Sequence, residues 1–258
     1  MEAMISIVTV CYNAQDSIEK TLKSILEQNY NDYEYIIIDG ASTDNTLSII
    51  NRYIPLFKER KILVKLISEH DKGIYDAMNK GAELARGHWI NFMNSDDIFF
   101  DGNVLKEVFS NDLGSFNVVY GRALWETSNG ISEFTTRASW YLKYKKPFYH
   151  QAAFVKTKLQ KQYKFNLNYK ISADFDFFQR LYLKKYKFLK LDYIVAVSSD
   201  HGISKDVRNI NKIYKEDQLI IKNNGVNIFN SPILLVFNWK KQKEINNKLK
   251  ANKFEKFH

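Results

Sequence analysis

The chain of 258 residues is long enough for one large domain, or for one domain with an appendage. Its residues are 45% hydrophobic and 15% aromatic, which provides ample material for a core and excludes global disorder. The single cysteine, Cys11, excludes an internal disulfide and a cysteine-based zinc site.

The net charge is +9, and the excess is concentrated near the end of the chain. Residues 238–258 carry seven Lys and two Glu, together with Trp and other apolar residues. This basic tail has two interpretations: it contacts an anionic membrane surface or another acidic partner, or it is a solvated end. No recognised nucleic-acid-binding pattern accompanies the charge, so we predict no nucleic-acid partner.

The first residues, MEAMISIVTVCYN, lack the basic start and long apolar run of a signal peptide. No window reaches the roughly 18 consecutive apolar residues that a membrane-spanning helix needs. We therefore predict a cytoplasmic protein, peripheral at the inner face of the plasma membrane if the basic tail binds lipid.

Strands and helices alternate over the first hundred residues. Continuous apolar runs predict strands at 5–10, 33–39, 62–68 and 88–94, with helices between them, the last at 73–87. This order predicts a parallel sheet with right-handed crossovers, flanked by helices.

The pattern changes beyond residue 103. Residues 117–127 and 130–137 predict an antiparallel pair, 149–156 predicts a strand, and 171–185 predicts an amphipathic helix. A Lys- and Asn-rich helical segment follows from about residue 206. The sequence contains no internal repeat and no linker that would separate two folding units.

Polar residues fall at or just beyond the carboxyl ends of three predicted strands: Thr9, Asp39, and the pair Asp96 and Asp97. Ligands of parallel α/β sheets bind at that edge. Asn, Ser and Asp are also ordinary turn residues, so the NSDD segment has two explanations, a turn or a site for a divalent cation.

A set of motifs in fixed order resembles the family-2 glycosyltransferases, which have the GT-A fold. The motifs are SIVTVCYNAQDSIEKTLKSILEQNY, YIIIDGASTDNT, SEHDKGIYDAMNKGAELARGHWINFMNSDD, FYHQAAFV, ISADFDFFQRL and HGIS. These motifs resemble those of a subgroup of bacterial, colanic-acid-type enzymes that build exopolysaccharide, capsule and lipopolysaccharide. The resemblance spans roughly residues 4–205.

The resemblance implies an inverting, metal-dependent enzyme that moves a sugar from a nucleoside-diphosphate sugar, with UDP favoured, to a glycan acceptor that is often lipid-linked. It also implies an organisation of the chain. Residues 1–102 would bind the nucleotide sugar, 103–205 would bind the acceptor and carry the catalytic base, and 206–258 would form a basic helical extension. The sequence is compatible with an oligomer.

The implied cofactor is Mn²⁺ or Mg²⁺. Asp97 would be the main metal ligand, and Asp96 would lie near the ribose and assist at the metal, because a hard cation takes one or two carboxylates beside a diphosphate. Asn94 replaces the first acid of the family's usual acidic motif. His201, in HGIS, is either a further metal ligand or a surface histidine.

At the nucleotide end, Thr9 and Asp39 would hold the base, since a strand-terminal carboxylate can accept a hydrogen bond from the N3–H of uracil. Thr9 is otherwise a β-former, and Asp39 otherwise begins a turn. Lys72 would neutralise diphosphate oxygens or is a solvated loop lysine.

The resemblance implies that Asp174 is the catalytic base. The family motif that carries this Asp aligns with ADFDFFQRL, where Ala173 replaces the Glu that usually precedes it. Asp176 lies elsewhere on the helix and is interpreted as structural. His150 and Gln151 are candidates for contact with the acceptor or the diphosphate. Because two family positions are replaced, a non-catalytic sugar-nucleotide-binding relative with a scaffold role is the alternative function.

Overall fold

The structure is a computed structural model, and it describes residues 4–127, 130–199 and 209–226. His201 and the basic tail at 238–258 lie outside these residues, so the predictions made for them stay predictions.

The first part of the chain forms the predicted alternation of strands and helices. Its strands are β1 (Ile5–Cys11), β2 (Tyr33–Asp39), β3 (Leu63–Ser68) and β4 (Trp89–Phe92), and its helices are α1 (Ile18–Leu26), α2 (Thr46–Glu59) and α3 (Ile74–Leu84). β1 is parallel to both β2 and β4, and β2 is parallel to β3. The predicted parallel arrangement is therefore confirmed for this half.

The second part adds shorter elements. They are β5 (Asp97–Phe99), α4 (Val104–Phe109), β6 (Val118–Thr127), β7 (Gly130–Phe134), β8 (Ala153–Lys156), α5 (Thr157–Tyr163), α6 (Ala173–Leu183), β9 (Phe188–Ser199) and α7 (Ile210–Asn223). Two 3₁₀ helices, Ser139–Lys143 and His150–Ala152, precede β8. The predicted strand at 149–156 is therefore shorter than expected, because its first residues form the second of these turns.

All nine strands of the described residues belong to one sheet, in the order β3-β2-β1-β4-β8-β6-β9-β5, with β7 attached to β6. β8 joins β4 in the antiparallel sense, and β5 pairs with the end of β9. The second half thus extends the sheet of the first, and β9 brings the chain back beside β5.

Apolar residues cover both faces of the sheet. Ile7, Tyr35 and Ile37 belong to one cluster, beneath α1 and α2, and Val8, Ile36 and Ile38 belong to the other, beneath α3 and α6. Because successive strand residues point to opposite faces, strands buried on both sides read as continuous apolar runs. The sequence pattern of β1 and β2 has this origin.

The last described helix, α7, packs on α6. Glu216 accepts hydrogen bonds from the backbone N–H groups of residues 170–172. Asn224, just after α7, donates to Asp176 and Gln179 on α6. These contacts fix the loop that leads into α6, which carries Asp174.

No helix in the described ranges combines the length and the apolar character needed to cross a bilayer.

Candidate functional site

A cleft of about 510 Å³ opens at the carboxyl ends of β1 and β4. Its walls come from the ends of β1 and β9, the segments at 71–77 and 94–97, and the segments at 146–151 and 170–174. Residues from both halves of the sequence therefore meet at one edge of the sheet, where the strand order predicts a ligand site.

The adjacent acids Asp96 and Asp97 lie on one wall of the cleft and point to different partners. Asp97 is nearly buried at the start of β5, where it accepts hydrogen bonds from the Ser198 hydroxyl and, at 2.8 Å, from Gln151 Nε2. Asp96 pairs with Lys20 at 2.7 Å and accepts from the Ser199 hydroxyl.

The backbone at Asp96 is left-handed, with a φ of 94°, which is unusual for a residue other than glycine. Its N–H donates to Thr21 Oγ1 at 3.1 Å. Because this conformation costs free energy, the contacts around the turn must hold it in place. The turn explains why two neighbouring carboxylates take separate positions on the same wall.

Two amide oxygens beside the acids lack hydrogen-bond partners among the described residues. They are Asn94 Oδ1 and Gln151 Oε1, and both belong to buried side chains that line the cleft. No group of three His, Cys, Asp or Glu side chains is close enough to form a metal centre in the described parts of the chain. A hard cation that takes one or two carboxylates, amide oxygens and diphosphate oxygens nevertheless fits this all-oxygen set.

Asp174 also lines the cleft, in the first turn of α6, and is only 1% exposed. Its Oδ2 is 2.7 Å from Lys146 Nζ and 3.2 Å from His150 Nδ1, and its Oδ1 accepts from the N–H of Phe175. Burial opposes ionisation of Asp174, but Lys146 and His150 outweigh it and hold the pKa of this carboxyl well below its usual range.

Tyr75 closes the same corner of the cleft. Its hydroxyl donates to the Ile171 carbonyl at 2.6 Å and lies 3.4 Å from Asp174 Oδ1. Burial, followed by the charge of Asp174, raises the pKa of Tyr75 well above its usual value. The phenol therefore stays protonated, as a donor beside the carboxylate.

His150 lies between the Asn94 amide and the Asp174 carboxylate. Its Nε2 is 3.1 Å from Asn94 Nδ2, and its Nδ1 faces Asp174. Because an amide nitrogen only donates, Nε2 accepts this hydrogen bond and Nδ1 carries the proton. A chain of contacts thus runs from the wall that bears Asp97 to Asp174.

Lys146→Gln is expected to raise the pKa of Asp174, because burial then opposes ionisation with less positive charge nearby. The carboxyl carbon of Asp174, followed by NMR, should therefore titrate at higher pH in the variant than in the wild type. In the wild type the folded-state pKa lies below the unfolded value of about 3.9, so this group stabilises the fold above that pH and the stability is lost as the pH falls. That acid-side loss should become smaller in the variant.

The matched control is Lys143→Gln, a substitution of an exposed lysine in the same segment. Carboxyl-carbon NMR and urea unfolding across acidic pH would test both variants. We expect the titration of Asp174 to move to higher pH in Lys146→Gln and to stay unchanged in Lys143→Gln. Equal titration in the two variants would contradict the effect assigned to Lys146.

Thr9 does not reach the cleft, contrary to the prediction that it holds the base. It is 0% exposed, donates to the Met93 carbonyl at 2.6 Å and accepts from the Tyr35 hydroxyl at 2.9 Å. β1 continues for two residues beyond Thr9, so the residue lies within the strand and not at its end.

Asp39 ends β2 as predicted, but its carboxylate is also fully buried. It accepts from the N–H and hydroxyl of Ser42 and from the hydroxyl of Ser68. In this arrangement Asp39 holds the turn after β2 and does not contact the cleft. The assignment of Asp39 to the base is therefore not supported.

Asp71 is a cleft residue that the sequence analysis missed. It lies between β3 and α3, lines the cleft, and accepts from the N–H of Gly73 at 2.7 Å. Lys72 is exposed and does not line the cleft, so the structure does not bring it to the predicted diphosphate position. The DKG motif at 71–73 could have indicated Asp71, because its aspartate, and not its lysine, lines the cleft.

Asp176, interpreted as structural, is buried on α6. It pairs with Arg180 at 2.8 Å and accepts from Asn224 at 3.2 Å. It does not line the cleft.

Comparison with known proteins places this chain and its fold among the glycosyltransferases. The family model for glycosyl transferase family 2 matches residues 6–186, which is most of the chain. The chain therefore belongs to glycosyl transferase family 2, and the predicted family is confirmed.

Relatives and solved structures agree with this placement. The chain is 30% identical over 213 residues to a PGL/p-HBAD biosynthesis glycosyltransferase of Mycobacterium bovis, with 79% of this chain and 80% of the relative covered. It is 33% identical over 105 residues to the UDP-Glc:alpha-D-GlcNAc-diphosphoundecaprenol beta-1,3-glucosyltransferase WfaP of Escherichia coli, with 41% and 40% covered.

Among solved structures, the mannosyltransferase PcManGT from Pyrobaculum calidifontis, in complex with GDP-Man and Mn²⁺, superposes with a TM-score of 0.66. Its sequence identity is 16%, and 95% of this chain and 70% of that chain are covered. At this identity the likeness shows the fold alone, and the predicted GT-A fold is confirmed.

Proposed function

We propose that this glycosyltransferase transfers a sugar from a nucleoside-diphosphate sugar to a glycan acceptor, with inversion and with the help of a divalent metal ion. The observation that carries the proposal is that Asp97 and Asp174, two buried carboxylates with different hydrogen-bond partners, line one cleft. The surroundings of Asp97 offer oxygen ligands for a cation, and Asp174 offers a proton acceptor.

Asp97 and Asp96 would hold the metal ion, with Asn94 Oδ1 and Gln151 Oε1 beside them. When bound, Mn²⁺ or Mg²⁺ supplies a positive charge that stabilises the departing diphosphate. Gln151 Nε2 and the Ser198 hydroxyl orient the Asp97 carboxylate. His201 stays a proposed further ligand, outside the described residues.

Asp174 would take the proton of the acceptor hydroxyl as that oxygen attacks the anomeric carbon. A single displacement of this kind inverts the configuration and needs one carboxylate on the acceptor side. The contacts from Lys146 and His150 fix one oxygen of that carboxylate, and the Phe175 N–H donates to the other. Part of the Lys146 contact has to be exchanged for the acceptor hydroxyl before the proton moves.

UDP is the favoured nucleotide and a lipid-linked glycan the favoured acceptor, because the name of the Escherichia coli relative contains both a UDP-sugar and a diphosphoundecaprenol acceptor. The biological setting would be bacterial surface-polysaccharide synthesis at the cytoplasmic face of the membrane. Trp140, which is 56% exposed six residues before Lys146, suits contact with a lipid surface or an acceptor sugar.

A thermal-shift panel of nucleotide sugars, with and without Mn²⁺, tests the proposal. We expect at least one UDP-sugar to raise the Tm, and the shift to be larger with Mn²⁺ than with either component alone, because binding to the folded state alone stabilises it. GDP-sugars serve as the comparison for base preference. If no nucleotide sugar stabilises the protein in a metal-dependent manner, the proposed donor site is wrong.

The alternative function is a non-catalytic sugar-nucleotide-binding protein with a scaffold role. The pairing of Asp174 with Lys146 favours it, since a carboxylate with a low pKa is a weak general base. The test is release of UDP from a UDP-sugar that stabilises the protein. Release at a rate that depends on Asp174 supports the transferase, and binding without release supports the scaffold protein.

A further inference from the structure

A second concavity, of about 540 Å³, lies at the opposite end of β4 from the cleft. β8 is antiparallel to β4, and Lys156 at the end of β8 pairs with Trp89 at the start of β4. The segment before β4 and the segment after β8 therefore meet here, far from the carboxyl ends that form the cleft.

All the ionisable side chains that line this concavity are basic, and we call it the basic pocket. They are Ala85, Arg86, Gly87, His88, Gly114, Asn117, Lys156, Thr157, Lys158 and Lys161. None of the five basic side chains forms an ion pair within the ranges that the structure describes. A concave site with several cations and no carboxylate attracts an anion, since low-dielectric walls strengthen the field inside it.

Lys156 is a partly buried cation that lines the pocket. Its ammonium lies over the ring of Trp89 at 4.2 Å, partly removed from water. Burial and then the charge of Lys158 lower the pKa of Lys156. The Trp89 ring attracts this ammonium, and a negative ligand near Lys156 and Lys158 would in addition offset their mutual repulsion.

Thr157 provides a second, independent observation. It is 6% exposed, it lines the pocket, and its hydroxyl has no hydrogen-bond partner among the described residues. Its backbone N–H is already donated to the His88 carbonyl at 2.9 Å. A buried hydroxyl without a partner is uncommon in folded proteins, and an oxyanion in the pocket would accept from it.

We propose that the basic pocket binds a phosphate-bearing anion, at a site separate from the cleft. Lysine ammonium groups bind phosphate as point charges, and phosphate has enough oxygens to accept from Lys158, Lys161 and Thr157 together. The phosphate belongs either to a soluble ligand or to a lipid headgroup, which share this chemistry.

The test compares Lys158→Gln/Lys161→Gln with the control Lys58→Gln/Lys106→Gln in the full chain. The control lysines are exposed helix residues without ion pairs in the described ranges, and they change the net charge by the same amount. Inorganic pyrophosphate is titrated calorimetrically at constant ionic strength and without divalent cations, which suppresses diphosphate binding in the cleft. Phosphatidylcholine vesicles with and without phosphatidylglycerol are used for co-sedimentation.

We expect the pocket variant to lose about tenfold in affinity for one of these probes, because two charge-assisted contacts are removed, and the control to bind as the wild type does. Loss of pyrophosphate binding identifies a soluble ligand, and loss confined to phosphatidylglycerol vesicles identifies a lipid headgroup. Absence of saturable binding to both probes, or equal losses in the two variants, would overturn the proposal. Thermal melts confirm that both variants fold.

Discussion

Asp174→Asn is expected to lower the turnover number of sugar transfer by about 1,000-fold while nucleotide-sugar binding is retained. The amide keeps the shape of the carboxylate but has no negative charge with which to take a proton. The measurement is release of UDP from the donor. In an assay without added glycan, water takes the place of the acceptor. Thermal shift with the same donor and Mn²⁺ reports binding separately.

Asp176→Asn is the matched control, because the same substitution is made two residues along α6, at a buried carboxylate outside the cleft. It removes the ion pair with Arg180, so we expect a loss of about 2 kcal/mol in the free energy of unfolding with turnover largely kept. If Asp174→Asn retains wild-type turnover, Asp174 is not the base and the scaffold alternative gains support.

Asp97→Asn is expected to lower kcat/KM by about 100-fold, because losing about 3 kcal/mol of metal-assisted stabilisation of the leaving diphosphate has that effect. The variant should also lose the additional Tm shift that Mn²⁺ produces with a UDP-sugar. Activity at several Mn²⁺ concentrations, together with thermal shift, measures both effects.

The control for Asp97 is Asp101→Asn. Asp101 follows β5, does not line the cleft, and accepts from the Tyr193 hydroxyl at about 3.0 Å. We expect it to leave the Mn²⁺ dependence unchanged. An Asp97→Asn variant that responds to Mn²⁺ as the wild type does would show that the metal is held elsewhere.

The first half of the fold was predictable because its signals are local. β1 and β2 are continuous apolar runs, and the helices between the parallel strands have one apolar face, so neither depends on knowledge of distant residues. β5 was missed because it has only three residues, begins with Asp97, and exists through its pairing with β9. Strands of this kind are defined by a distant partner and not by their own sequence.

The sequence predicted acids that line the cleft, but it did not predict the contacts around them. Asp97 and Asp174 stand in recognisable motifs, and the structure brings both to one cleft. Thr9 and Asp39 were assigned from nearness to strand ends, but their side chains point into the protein, a direction that the positions alone do not specify. Lys146 was missed because nothing in a lysine-rich segment marks the one residue that folds back onto a buried carboxylate.

The pairing of Asp97 with Ser198 has a consequence for the growing chain. These two residues are 101 positions apart, and Gln151, the other partner of Asp97, is 54 positions away. A nascent chain on the ribosome would complete β1 to β4 long before it could orient this carboxylate. If Asp97 has its proposed role, the donor site would therefore be complete only after β9, the last strand of the described residues, has been added.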